Sequence, residues 1–199
     1  MTGVRTEPDR VIADDGEHMP GEAGIWIFVL GDMVVFAVCF AVLALVHAQD
    51  PAGYAVAQDV LHLWLGVVNT VVLVTSSLTM ALAVHAARAG RPRRAASLVL
   101  ATMAGAVVFV AVKAVEYTDL VAAGHTARSS DFFLYYFCFT GLHLLHVVIG
   151  LGVLAGVLRI VRRTAPTRHE MGLVESGAGY WHMVDLLWLV LFGLLYTLG

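Results

Sequence analysis

The chain has 199 residues, a formal net charge of −3, 59% hydrophobic and 14% charged residues, and a mean hydropathy of +0.81. Soluble domains carry about 25% charged residues, so this composition excludes a typical soluble enzyme, a nucleic-acid-binding domain and a disordered protein. The apolar residues fall into five long runs, which reads as one all-α integral membrane bundle.

Residues 1–23 form a polar tail with six acids and two arginines; its Pro8, Gly16, Pro20 and Gly21 oppose a stable element. The predicted helices then follow at about 24–47, 62–87, 95–117, 132–158 and 180–198, making 24–199 a single transmembrane domain. Each run reaches the roughly 17–20 residues that a helix needs to cross a hydrocarbon core of about 30 Å. A bilayer demands internally satisfied backbone, and alternating barrel strands are not seen. Val46-His47-Ala48 resembles a cleavage site, but the acidic tail, the length of the run and Asp32 within it oppose a cleaved signal. Cys39 and Cys138 lie inside apolar runs with no CxxC neighbour, so neither a disulfide frame nor a zinc site is indicated.

Arginine and lysine set the expected orientation. With five spans, the tail, 88–94 and 159–179 share one side and hold ten such residues, while the opposite loops and the C-terminus hold one, Arg128. The N-terminus is therefore expected in the cytoplasm and the C-terminus outside.

Ionisable groups inside the runs need a reason, because each costs a few kcal/mol in the membrane centre. Asp32 lies nine residues into the first run and reads equally as a proton-responsive carboxyl or a helix-locking one. Lys113 and Glu116, three apart, share a helix face. They read as an intrahelical pair near the outer interface with Lys113 snorkelling, or with Glu116 bonded to a histidine of a neighbouring helix. His143 and His146 are also three apart, as are His182 and Asp185. These are candidates for a metal or haem site, although the Glu-x-x-His pattern of carboxylate-bridged centres is absent; the alternative is an interhelical hydrogen-bond network.

Depth separates them into two expected layers. Glu116 pairs with His143 or His146 in the outer one. His182 and Asp185 lie some 20–30 Å away, by rise per residue, in an inner one open to a catalytic partner or a lipid headgroup. Asn69 and Ser76, seven apart, share a face. Gly152 and Gly156 form a G-x-x-x-G expected to let helices approach closely. Trp26, Trp64 and Trp181 sit near run ends and fit an interfacial belt; Trp188 lies deeper and is expected to pack on a partner. No phosphate-binding, nucleophile-elbow or H-E-x-x-H motif is present.

Several strings together resemble subunit III of the haem–copper oxidases, the cytochrome c oxidase subunit 3 family, in its short five-helix bacterial form. They are Gly31-Asp32-Met33 with Val35-Phe36, Asn69-Thr70 with Ser76-Ser77-x-Thr79, and Val115-Glu116-Tyr117. The most specific are Thr140-Gly141-Leu142-His143-x-x-His146 and Tyr180-Trp181-His182-x-Val184-Asp185-x-x-Trp188. The resemblance runs from about residue 21 to the C-terminus. It implies an accessory subunit with no active site, haem or copper of its own. Those cofactors are expected in partner subunits I and II. It also implies structural phospholipid, a bacterial plasma-membrane location, and support of subunit I and of proton uptake in respiratory electron transport. Many members have Glu in place of Asp32 and Gln in place of Lys113. Pro20-Gly21-Glu22-x-Gly24-Ile25-Trp26 leading into Leu30-Gly31-Asp32 is similar to a nitric-oxide-reductase-associated, NorE-like subset, which makes nitric oxide reductase subunits the alternative partners. A free-standing haem b anchor and a small proton-coupled transporter are the readings from other classes; no inverted repeat or broken helix supports the latter.

Overall fold

The structure is a computed structural model that describes residues 23–163 and 166–197. The expected tail up to residue 22 lies outside the described residues, as do the Pro20-Gly21-Glu22 string and the side chain of Trp26. Among the described residues six helices follow one another: α1 (Ala23–Gln49), α2 (Pro51–Gln58), α3 (Leu63–Arg88), α4 (Pro92–Ala122), α5 (Asp131–Val161) and α6 (Arg168–Phe192). A π-helical turn, Gly193–Thr197, continues α6. No strand occurs among the described residues. All the helices except α2 are long and apolar enough to cross a membrane, as expected from the runs.

Local chemistry sets the helix ends. Asp50 caps α2 by accepting from the Gly53 amide at 3.0 Å, with Pro51 in the first turn. This short helix is absent from the sequence reading. Its Tyr54 is buried; burial first, and Tyr135 second, push the phenol up to about 12, so it stays protonated at neutral pH. α3 and α4 close with glycines at positive φ, Gly90 (66°) and Gly124 (86°). In each case the residue beyond donates back to a carbonyl five positions earlier: Arg91 to Ala86 and His125 to Leu120.

The largest correction concerns the last span, expected from residue 180. It begins at Arg168, where Thr167 and Glu170 form a reciprocal capping box. The added turns carry His169, Glu170 and Glu175, which dilute the apolar run.

α3 and α4 form the most extensive helix pair, and α6 lies between α3 and α5. α6 runs antiparallel to both: Trp181 and Trp188 meet Ser76 and Thr70 of α3, while Trp188 also meets His143 of α5. α1 packs chiefly against α6. Exposed Ile27, Leu30, Val34, Leu45, Val71 and Val148 leave an apolar outer surface suited to hydrocarbon.

The expected G-x-x-x-G contact is not found. A Cβ added at Gly152 or Gly156 would meet nothing within 4 Å. The close approaches are at Gly150, where a Cβ would come 2.8 Å from Trp181, and at Gly177, 2.7 Å from Val157. The tryptophans differ likewise. Trp64 is 73% exposed at the start of α3, in keeping with a belt position, but Trp181 is fully buried because α6 starts twelve residues earlier than expected.

Candidate functional site, a polar core between the helices

Ionisable and hydrogen-bonding side chains are strung through the bundle interior in linked groups. Towards the C-terminal end of α4, Lys113 and Glu116 are each 1% exposed and pair at 2.8 Å. The pair exists as the i, i+3 spacing suggests, but Lys113 does not snorkel. Its Nζ donates to Tyr196 Oη at 2.8 Å and to Tyr136 Oη at 3.2 Å. The Trp188 ring stands 4.7 Å from it. Tyr196 Oη in turn donates to the other Glu116 oxygen. One cation and one carboxylate are thus satisfied by each other, by two phenols and by aromatic faces. The π-helical turn belongs to this arrangement, since it carries Tyr196. Beside it, Thr140 Oγ1 donates its one proton to the Tyr136 carbonyl, so Tyr117 Oη donates to Thr140 at 2.6 Å.

The expected bond from Glu116 to His143 or His146 is not formed. His143 is fully buried between Phe109 and Trp188, with ring centroids 5.5 and 5.4 Å away. Neither of its nitrogens bonds to a described residue. His146 turns instead toward α1: its Nε2 lies 3.1 Å from Asp32 Oδ1 and its Nδ1 lies 2.8 Å from the Leu142 carbonyl. A carbonyl only accepts, so Nδ1 carries a proton. The contact to Asp32 then holds one proton between the two groups, on Nε2 with an ionised carboxylate or on Oδ1 with a neutral imidazole. Phe36 packs edge-on to the same imidazole, with ring centroids 5.4 Å apart.

Further along α6, His182 Nδ1 and Ser77 Oγ are 2.6 Å apart. Trp181 Nε1 donates to Ser76 Oγ at 2.8 Å, and Trp188 Nε1 to Thr70 Oγ1 at 3.1 Å. Tyr180 Oη donates to the His146 carbonyl at 3.2 Å. Asn69 and Asp185 are buried without a hydrogen bond to a described residue. The earlier start of α6 also corrects the expected depth. Asp185 is three residues, or about 4.5 Å of helix, from Trp188 at the His143 level. Tyr196 is eleven residues further on, roughly 16 Å. The groups therefore form a graded column rather than two layers 20–30 Å apart.

Sequence reasoning singled out Asp32, Asn69, Ser76, Glu116, His143, His146, His182, Asp185 and Trp188, and all of them are buried or half-buried. It missed Tyr136 and Tyr196, because a tyrosine in an apolar run carries no formal charge to mark it, and it named Thr70 and Tyr180 only as members of the family-like strings. Among the described residues no three His, Cys, Asp or Glu side chains group as a metal site would require.

Among the described residues, five helices long and apolar enough to cross a membrane, tied across their interior by side-chain hydrogen bonds, define a polytopic helical membrane protein with a polar core. A family model described as cytochrome c oxidase subunit III matches residues 18–199, and the chain belongs to that family. It is accordingly an accessory subunit III of a haem–copper terminal oxidase, a multi-pass plasma-membrane protein of respiratory electron transport. It is similar to the quinol oxidase subunit 3 of Bacillus subtilis, 27% identical over 176 residues that cover 88% of this chain and 86% of that protein. The cytochrome bo(3) ubiquinol oxidase subunit 3 of Pseudomonas aeruginosa is 29% identical over 179 residues, 88% of this chain and 84% of that one. The cytochrome c oxidase subunit 3 of Prototheca wickerhamii is 31% identical over 189 residues, 88% and 68% of the two chains.

Proposed function

We propose that this chain works as a brace within its oxidase and carries out no redox step itself. It packs against subunit I, which with subunit II carries the haem and copper, and it supports proton uptake by the catalytic subunit. Its N-terminus faces the cytoplasm and its C-terminus the outside, as the ten-to-one distribution of arginine and lysine favours.

The observation that carries this reading is that most of the ionisable groups in the bundle interior are engaged by polar side chains, His143 and Asp185 being the exceptions. Lys113 is bound to Glu116 and two tyrosines, Asp32 to His146, and His182 to Ser77. Each link joins different helices or steadies one that does. Interhelical bonds of this kind contribute about 0.6 kcal/mol each on average. Their sum favours one helix arrangement, and so one fixed face for a neighbouring subunit.

The string from Pro20 to Trp26 supports a second reading, a nitric oxide reductase as the partner. Purification of the tagged chain from its own membranes in mild detergent separates the two. The first reading expects a haem–copper catalytic subunit in equal amount and oxygen consumption. Nitric oxide consumption without oxygen consumption selects the second. Recovery of the chain without any haem–copper subunit contradicts both.

A further inference from the structure

The turn from α3 to α4 holds a cavity that the polar core does not involve. Leu82, His85, Ala86 and Ala89 run as one stripe down the last turns of α3. With Arg91 and Arg94 they line a space of about 210 Å³. Its character changes along the helix. Leu82 lies within the apolar span, seven residues or about 10 Å before Ala89, and the two arginines stand at the end of the span.

Among the described residues, charge at this end of the molecule is unbalanced. The acids there among the described residues are Glu170 and Glu175, and each already has a partner: Glu175 takes Arg88 at 2.8 Å, and Glu170 takes Arg163. Arg91 and Arg94 have no ion-pair partner among the described residues. No side chain caps the start of α4, where Arg91 is the N-cap residue and Pro92 follows. The free amides of that first turn therefore add their positive field to the two guanidinium groups. Arginine forks match phosphate oxygens in geometry as well as charge. Leu82 and Ala86 below them offer nothing to a free ion but suit a hydrocarbon chain.

We propose that this cavity binds an anionic phospholipid. Its phosphate sits between Arg91 and Arg94, His85 supplies a further hydrogen bond, and the first part of an acyl chain lies on Leu82 and Ala86. The recognised chemistry is a phosphodiester. The apolar wall and the place at the end of the span assign it to a lipid and not to dissolved phosphate. The absence of a carboxylate from the lining disfavours a zwitterionic head, whose ammonium would have no acceptor.

The test is a lipid count on the chain isolated with its accompanying subunits, stripped of lipid and then titrated, read by native mass spectrometry. Phosphatidylglycerol, phosphatidylcholine and inorganic phosphate are added separately to the wild type and to the R91Q/R94Q, R91K/R94K and R93Q variants. The wild type is expected to retain one more phosphatidylglycerol than R91Q/R94Q, whose affinity at that site falls roughly thirty-fold for the loss of two surface arginines. R93Q, altered beside the cavity, should keep the site, and R91K/R94K should bind more weakly than the wild type but more tightly than R91Q/R94Q, because lysine supplies the charge without the fork. Phosphatidylcholine should show no difference between wild type and R91Q/R94Q, and millimolar phosphate should not displace the lipid. An equal loss in R93Q would assign the effect to diffuse surface charge and overturn the proposal. So would displacement by phosphate, equal retention of phosphatidylcholine, or a wild type that retains no additional lipid.

Discussion

Asp32 and His146 stand 114 positions apart in the chain, and their 3.1 Å contact is the one side-chain hydrogen bond that ties α1 to the rest of the bundle among the described residues. Because His146 Nδ1 is committed to the Leu142 carbonyl, Nε2 can face Asp32 as donor or acceptor. An amide at position 32 can therefore replace the carboxyl, whereas an alanine cannot. D32A should loosen α1 by about 0.6–1.7 kcal/mol, and D32N should leave it nearly unchanged. Labelling of half-buried Cys39 by a membrane-permeant maleimide reports the difference. A several-fold faster reaction is expected in D32A alone; equal rates in both variants would deny the bond its structural role.

The Lys113–Glu116 pair should be far more sensitive to single than to double replacement. K113M strands a carboxylate and E116L strands an ammonium, each in a site 1% exposed. Breaking a buried pair costs about 3–5 kcal/mol, while replacing both partners by apolar groups is often nearly neutral. Thermal unfolding of the purified complex should show two destabilised single variants and a double variant close to the wild type. An additive double variant would mean that the two charges act independently.

Gly150 and Gly152 offer a contrast two residues apart on α5. An added methyl at Gly150 would come 2.8 Å from the Trp181 ring, while one at Gly152 meets open space. Overpacking of this kind costs about 1–3 kcal/mol, so G150A should lower the unfolding midpoint and G152A should not. If G152A were the more damaging, the α5–α6 register would be wrong.

The five spans were legible in the sequence because length and apolarity alone decide them. The start of α6 was not, since hydropathy fades where Glu170 and Glu175 enter; the Thr167 and Glu170 spacing was the missed signal. The buried polar candidates could be picked out as charges or imidazoles in apolar surroundings. Their pairing could not, because it depends on which helices are neighbours. Glu116 was read as the partner of Lys113 or, in the alternative, of a histidine of α5. In the fold it is Lys113 and Tyr196 that reach it, and His146 faces α1 instead. The G-x-x-x-G spacing likewise cannot say which face of α5 meets α6. That is why Gly150, outside the motif, makes the contact.

Orientation can be checked with fusions at the C-terminus. With ten of the eleven loop and tail arginines on one side, a C-terminal alkaline phosphatase should be active and a C-terminal green fluorescent protein dark. The opposite pattern would reverse the bundle in the membrane.

The brace account is tested most directly by comparing the complete oxidase with the complex purified without this chain, following haem and copper content and oxygen consumption during sustained turnover. The account predicts unchanged haem and copper per catalytic subunit and a comparable initial rate, with activity then decaying several-fold faster in the depleted complex. Loss of haem or copper in proportion to the missing chain, with an initial rate reduced to match, would contradict it by placing a cofactor in this subunit.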